Sequence, residues 1–351
     1  MPADDLLIHG AGPVGCTLAL ALRDSRRRVR LVEPRPDALP AFRPIALSQA
    51  SRLILERVGA WGAFPATPIA TVHVSQAGAF GRTRMDAADA GVPALGYVTQ
   101  YADLVAALRA RVSVEGDAGG SLDSARLTVH AEGSGGESRE RRYGHDAVVA
   151  LVAAEPASQA VAYERFTAQG PLALLPLAGS WALVWSARPE RAAALAAAPQ
   201  EQFLRALQAA FGDRAGRFVA VAQRACVPLA LRVRDSRVAT REVYIGNAAQ
   251  SLHPVAGQGL NLGLRDAWDL ARTLRDAPDP GSAEVLARFN ATRRLDAVCT
   301  VGVTHALAGA FLGANPLLRA ARGAALTVLD IAPAARRLFA RRMIFGPSAL
   351  P

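Results

Sequence analysis

The sequence predicts an α/β protein in which a Rossmann-like domain is joined to a second domain built on a mixed or antiparallel β-sheet. Three observations predict it. Gly10, Gly12 and Gly15 form a Gly-x-Gly-x-x-Gly turn directly after the apolar run Leu6, Leu7, Ile8. A second glycine-rich stretch, through Gly246, Gly257 and Gly259, leads from a short apolar strand into a helical pattern. Between the two lie apolar runs of strand length, at 147–152, 163–176 and 181–185, with turns between them.

The first unit reads as strand 6–8, glycine turn, helix 16–22 and strand 28–33 ending in Glu33. In such a unit the first glycine allows the tight turn, the second lets a pyrophosphate approach, and the third lets helix and strand pack. An acid at the end of the second strand accepts hydrogen bonds from a ribose and disfavours a 2′-phosphate. Residues 37–44 form a turn-rich connection carrying Arg43, and 45–59 have helical periodicity. Residues 69–74 alternate as a strand of the second sheet, 95–98 return to the first sheet, and 103–110 read as a helix. After the loop and small or polar run of 116–126 comes strand 127–130 and then Glu132. The apolar runs of the second sheet follow, with the two tryptophans Trp181 and Trp185. Residues 189–210 are alanine-rich and helical, 218–222 and 226–231 read as strands, and 240–245 is the strand before the second glycine stretch. That stretch enters a helix at 262–274, where Asp266 caps or braces the helix start. A helix start offers unpaired N–H groups and a positive dipole end. A long helix at 283–307 and a helical tail broken at Pro333 end the chain. In the tail, leucines alternate with arginines, a pattern that suits either packing over the second domain or contact with a membrane surface.

The expected boundaries are a first cofactor-domain part at 1–68, a second-sheet segment at 69–94 and a shortened second cofactor part at 95–145. The main second domain follows at 146–235, a third cofactor part at 236–285 and a helical region at 286–351. The chain has 351 residues, half of them hydrophobic, enough for two cores. Cys16, Cys226 and Cys299 form neither a disulfide framework nor a metal-ligand cluster, and the six histidines form no metal motif. The expected setting is cytoplasmic, peripheral to the inner membrane: no leader is read at Met-Pro-Ala-Asp-Asp, and no apolar run is clean enough to span a bilayer. The formal net charge of +10 suits acidic lipid or an acidic partner. Without a recognisable nucleic-acid module it does not argue for nucleic acid. Neither a Gly-x-Ser-x-Gly elbow nor a Walker lysine is present.

The two glycine stretches together resemble the FAD-dependent aromatic hydroxylases. Gly246-Asn-Ala-Ala-Gln-Ser-Leu-His-Pro-Val-Ala-Gly-Gln-Gly-Leu-Asn-Leu-Gly263 and the run from Tyr163 to Pro176 resemble their ubiquinone-biosynthesis branch. The resemblance implies a para-hydroxybenzoate-hydroxylase-like fold, FAD as cofactor, NAD(P)H as reductant and O2 as co-substrate. It implies hydroxylation of a polyprenylated methoxyphenol, with a sister ring position as the neighbouring enzyme alternative. A homo-oligomer or a quinone-biosynthesis complex is the implied partner. By the same resemblance Gly10, Gly12, Gly15, Glu33, Arg43, Glu132, Gly246, Asn247, Gly259, Leu260 and Asn261 bind the cofactor, together with Gln100 or Tyr101 near the ribityl chain. Pro254 packs near the ring, Gly257 and Gln258 carry N–H groups towards its pyrimidine edge, and His253 orients that loop or influences the phenol. Three departures stand out: Glu132 where the family has aspartate, Tyr101 where it more often has glutamine, asparagine or arginine, and a shortened segment at 116–130. They support the alternative of a non-catalytic or weakly flavin-binding homologue serving as a subunit of a quinone-biosynthesis complex.

Overall fold

A computed structural model describes residues 4–34, 42–116, 125–133, 139–251, 258–312 and 316–346. The chain opens with β1 (Leu6–His9), α1 (Pro13–Ala21) and β2 (Val29–Glu33). Next come β3 (Pro44–Ser48), α2 (Gln49–Arg57), β4 (Thr67–Ile69), β5 (Thr71–Gln76), β6 (Arg82–Asp86) and α3 (Ala87–Ala90). Then follow β7 (Gly96–Gln100), α4 (Tyr101–Arg109), β8 (Glu115–Gly116), β9 (Leu127–His130) and β10 (Arg139–Glu155). The middle holds β11 (Val161–Thr167), β12 (Gly170–Leu177), β13 (Ser180–Ala187), α5 (Pro189–Ala197), α6 (Gln200–Phe211) and β14 (Arg217–Val233). The last part has β15 (Val238–Ala239), β16 (Glu242–Tyr244), β17 (Gln250–Ser251), α7 (Gln258–Leu274), α8 (Ala283–Leu312), α9 (Pro316–Ile331) and α10 (Pro333–Phe345).

Among the described residues the first sheet runs β15-β16-β9-β1-β2-β8. It is parallel from β16 through β8, as a Rossmann-like sheet requires. Leu6, Ile8, Val129 and Val243 point to the same face, where Leu18 of α1 and Leu264, Leu270 and Leu274 of α7 close over them. Each such fully buried side chain contributes roughly 1.5–3 kcal/mol. The second sheet, β17-β14-β10-β13-β12-β11-β5-β6, is antiparallel except where β11 pairs with β5. Alternation gives it two different faces. Leu172, Leu174, Leu183 and Trp185 pack under Phe203, Leu207 and Phe211 of α6. Their neighbours in sequence face a cavity roofed by α9 and α10. The fold is thus α/β, with a Rossmann-like sheet and a mixed sheet in series.

Several elements differ from the sequence reading. Residues 45–59 are not one helix. Pro44–Ser48 forms β3, and the Ser48 hydroxyl caps α2 by accepting from the Ser51 N–H. The strand expected at 95–98 in the first sheet is β7, which pairs with β3 and β4 in a separate three-stranded sheet. The two strands expected at 218–222 and 226–231 are one strand, β14. It runs beside the equally long β10, with register shifts between Arg142 and Asp146, Val149 and Leu151, and Ala153 and Ala154. α7 begins at Gln258, earlier than the apolar periodicity suggests.

Candidate functional site

A cavity of about 1120 Å³ runs from the turn after β1 to the open face of the second sheet. Gly10, Gly12, Glu33, Arg43, Tyr101 and Glu132 line one end, and Gly246, Asn247, Gln258, Gly259, Leu260 and Asn261 line its waist.

The three glycines of the first turn do different work. Gly10 has φ +100°, and a side chain there would meet the backbone of Glu132 at 2.5 Å, so glycine lets β1 and β9 close together. A side chain on Gly15 would meet the Gly10 carbonyl at 2.0 Å, so α1 packs on the strand end only through glycine. Gly12 is different. The nearest atom to a methyl there is the Tyr101 hydroxyl at 3.3 Å, and the residue lines the cavity. Its bare backbone therefore leaves room for a ligand at the start of α1.

Glu33 accepts the Ala11 N–H at 2.9 Å and the Arg109 guanidinium at 3.2 Å, while Arg109 also donates to the Ala11 carbonyl at 2.9 Å. Arg109 therefore fixes both the turn and the acid. Sequence reading missed it; the one signal was its position two helical turns after Tyr101. Tyr101, not Gln100, lines the cavity. Gln100 ends β7 opposite Pro44, and α4 starts one residue later. The Arg43 guanidinium lies 4.7 Å over the Tyr101 ring, so two of the expected positions form one cation–π unit. Burial pushes the Tyr101 hydroxyl above the usual tyrosine range, keeping it a neutral donor and acceptor.

Val14 of α1 joins the two glycine stretches. Side chains on Gly246 or Gly263 would come within 3.0 Å and 2.8 Å of its Cγ2, so only glycine lets α1, the turn and α7 meet. Asn261 braces the waist through its side chain. It accepts from the Ser48 N–H at 2.8 Å and the Ser51 hydroxyl at 2.7 Å, and donates to the Ala46 carbonyl at 3.0 Å. Gln258 donates to the Met343 carbonyl of α10 at 3.3 Å. The first turn of α7, containing Gly259 and Leu260, lines the cavity with N–H groups that lack intrahelical acceptors. His253, Pro254 and Gly257 lie outside the described residues.

Asp266 is fully buried on α7, where it braces the loop. It accepts from the Gly246 N–H, Gln250, Arg237 and Arg293. Burial pushes its carboxyl up, but the Arg293 and Arg237 guanidiniums outweigh burial and hold it below the usual aspartate value.

Glu132 stands in the turn that follows β9. Its Oε1 meets His130 Nδ1 at 3.1 Å. Its Oε2 is buried at the cavity wall with no partner among the described residues. Burial pushes this carboxyl up, but the His130 hydrogen bond helps hold it below the usual value, so it stays a carboxylate. An orphaned acceptor, a glycine floor at Gly12, an acid at Glu33 and a helix start are what a dinucleotide needs. The residues present fit FAD, with Gly12 and Glu33 at its adenosine half and Asn247 and the α7 start nearer its flavin half. Among the described residues no cluster of histidine, cysteine and carboxylate side chains suits a metal.

The far end of the cavity is apolar. Val72, Val74, Met85, Leu175, Leu326 and Phe339 line it, together with two charged side chains, Glu164 and Arg322. The sequence had not singled out either charge for this site.

Comparison with known proteins agrees with this geometry. Residues 102–301 match a family described as FAD binding domain. The chain is similar to ubiquinone hydroxylase UbiL of Rhodospirillum rubrum, 31% identical over 96% of this chain and 88% of that one. It is 29% identical to 3-demethoxyubiquinol 3-hydroxylase of Escherichia coli, over 83% and 86% of the two chains. Among solved structures, its fold is similar to PqsL of Pseudomonas aeruginosa, a probable FAD-dependent monooxygenase. That likeness has a TM-score of 0.74 and 23% identity, over 92% of this chain and 99% of the other. HpxO of Klebsiella pneumoniae, complexed with FAD and uric acid, gives a TM-score of 0.76 at 20% identity over 98% of each chain. With both glycine stretches, the acid at Glu33 and the cavity between two sheets, the chain belongs to the FAD-dependent aromatic monooxygenases.

Proposed function

We propose that the protein hydroxylates a polyprenylated methoxyphenol in ubiquinone biosynthesis, as 2-octaprenyl-6-methoxyphenol hydroxylase does, with FAD, NAD(P)H and O2. The observation that carries this reading is the continuous cavity. Its polar glycine-lined end suits the cofactor, and its apolar end suits a ring with a hydrocarbon tail. Similarity to a ubiquinone hydroxylase over most of both chains supports the substrate class.

FAD bound there supplies the reduction of dioxygen and the transfer of one oxygen atom to the ring. The chain's own residues position and shield. Asp266 and Asn261 fix the α7 start, where N–H groups stabilise negative charge on a bound flavin. Arg43 and Tyr101 form part of the wall of the cofactor end. α9 and α10 cover the apolar chamber and exclude water from the reacting ring. Leu317 and Ile331 of α9 are 79% and 73% exposed, and the neighbouring α10 exposes Arg337 and Arg341, which supports a peripheral membrane position for a lipid-like substrate.

The test is NAD(P)H oxidation by FAD-loaded protein with and without a short-chain prenylated methoxyphenol, with mass analysis of the phenol. The expected result is a product heavier by one oxygen. A stable flavin complex that leaves the phenol unchanged favours a non-catalytic subunit.

A further inference from the structure

We infer that Glu164 is the acceptor for the substrate's ring hydroxyl, holding it by a hydrogen bond and taking its proton, and so selecting neutral hydroxyarenes over aromatic carboxylates. This rests on the hydroxylase reading above.

Glu164 lies on β11 in the cross-strand row Thr83, Val74, Glu164, Ala173, Val184. All five line the cavity. Ala162 and Phe166, two residues away on β11, flank it on the same face. The carboxyl therefore sits in the middle of a face that is otherwise apolar or hydroxyl-bearing. Among the described residues no hydrogen bond or ion pair reaches it. The cavity-facing side chains of β5, β6, β12 and β13 are not titratable. α9 brings Arg322, which donates to Gln76 Oε1 at 2.5 Å and lies 5.3 Å over the Phe166 ring. α10 brings Phe339, Ala340, Met343 and Ile344. The other charges lining the cavity, Glu33, Arg43, Arg109 and Glu132, stand at its cofactor end.

A carboxyl with only structural work is normally partnered when buried. Glu164 is half-buried because it faces the cavity instead of bulk solvent, and burial pushes its carboxyl up to about 7. An ordinary glutamate is roughly a millionfold more acidic than a phenol, and the raised one roughly a thousandfold, so it is a better matched proton acceptor. In the transfer, the ring O–H bond breaks and the proton forms a carboxyl O–H bond on Glu164. The electron pair stays on the ring oxygen, and the ring becomes richer towards an electrophilic oxygen. The proton returns to the ring oxygen once the product has formed, so no further reactant is needed. Above about pH 7, where Glu164 is ionised, a ring carboxylate would meet like charge here.

The test compares FAD-loaded wild type, Glu164→Gln and Glu164→Met. The probes are a short-chain prenylated 2-methoxyphenol and its methyl ether, with binding read from the flavin absorption spectrum. Wild type is expected to bind the phenol about ten- to a hundredfold more tightly than the ether. Glu164→Met should bring that ratio close to one with the flavin spectrum intact and the melting temperature of the free protein not lowered. In turnover, kcat of wild type should rise as pH rises through about 7, and Glu164→Gln should lose that limb and about tenfold or more in kcat. An unchanged ratio in Glu164→Met, or a retained limb in Glu164→Gln, overturns the assignment. If wild type binds the phenol but never hydroxylates it, the proposed function fails while the binding ratio still decides Glu164. A wild type that binds neither compound overturns both.

Discussion

Asp266 Oδ2 on α7 accepts the backbone N–H of Gly246 at 3.2 Å. The helix that begins in the second glycine stretch thereby holds the turn with which that stretch starts. The same carboxylate takes the Arg293 guanidinium at 2.7 Å, and Arg293 is 1% exposed. Asp266→Ala would leave a turn N–H, the Gln250 amide and a buried guanidinium short of an acceptor. The expected cost is about 3–5 kcal/mol in urea unfolding, the range for breaking a buried pair from one side. Because the folded carboxyl lies below its ordinary value, its contribution is complete above the unfolded value, about 4, and is lost as pH falls through the folded one. A loss under about 1 kcal/mol would mean that the network is decorative.

Gly12 and Gly15 separate binding from folding. Gly12→Ala places its methyl in the cavity floor, 3.3 Å from the Tyr101 hydroxyl, at an ordinary φ of −77°. Stability should stay within about 0.5 kcal/mol, while FAD affinity, followed by flavin fluorescence, falls about tenfold or more. Gly15→Ala forces the methyl against the Gly10 carbonyl at 2.0 Å and should lower the melting temperature of the cofactor-free protein. Equal effects of the two changes on free-protein melting would contradict the different roles assigned to them.

The strand–turn–helix–strand unit was legible because its signals are local: an apolar run, glycines at fixed spacing and an acid at a strand end. The pairing of β10 with β14 was not. Gly144, with φ +65°, and Pro228 interrupt the apolar pattern, yet two 17-residue strands run through them with shifts in register. β3 was read as helix because Ile45 and Leu47 also fit the periodicity of the helix that follows Ser48; only pairing with β7 decides the matter. At the site, glycines and Glu33 announced themselves through a motif. Arg109 and Arg322 reach the cavity from helices whose approach depends on tertiary packing, so no spacing marked them. Tyr101 and Gln100 were adjacent candidates until the start of α4 separated them.

Glu164 should leave a signature in stability as well as in chemistry. Its folded carboxyl is raised, so as pH rises from about 4.5 to about 7 the unfolded chain releases this proton before the folded one does. Stability therefore falls across that window. Glu164→Gln removes the effect. The two proteins should melt alike near pH 4, and the variant should be more stable by about 1–3 kcal/mol near pH 8, less than the full shift implies because Glu164 is only half-buried. A difference of the same size at both pH values would deny that titration of this group is the cause.

The exposed side of α9 and α10 predicts vesicle binding. Among the described residues no helix is long and apolar enough to cross a membrane. Leu317, Val328 and Ile331 of α9 and Leu338 of α10 are nevertheless more than half exposed. Exposed arginines lie beside Leu338 on α10, at Arg337, Arg341 and Arg342, while Arg319 and Arg322 of α9 turn towards β5 and the turn after it, donating to the Gly78 carbonyl and to Gln76. The opposite side of α9 carries Leu326 and Leu329 into the cavity, so the element that would touch lipid also roofs the chamber for an apolar tail. Apolar insertion and attraction to acidic headgroups act together in such a helix, and salt weakens the second. Co-sedimentation with vesicles containing phosphatidylglycerol should exceed that with phosphatidylcholine alone and fall with added salt. Leu317→Ser with Ile331→Ser should reduce it about tenfold, since two largely exposed aliphatic side chains contribute roughly 1–2 kcal/mol on partial insertion. Because both positions face outward, melting temperature and flavin content should not change. Equal binding by the double variant would place any membrane contact on another face, and α9 would then be only the roof of the chamber.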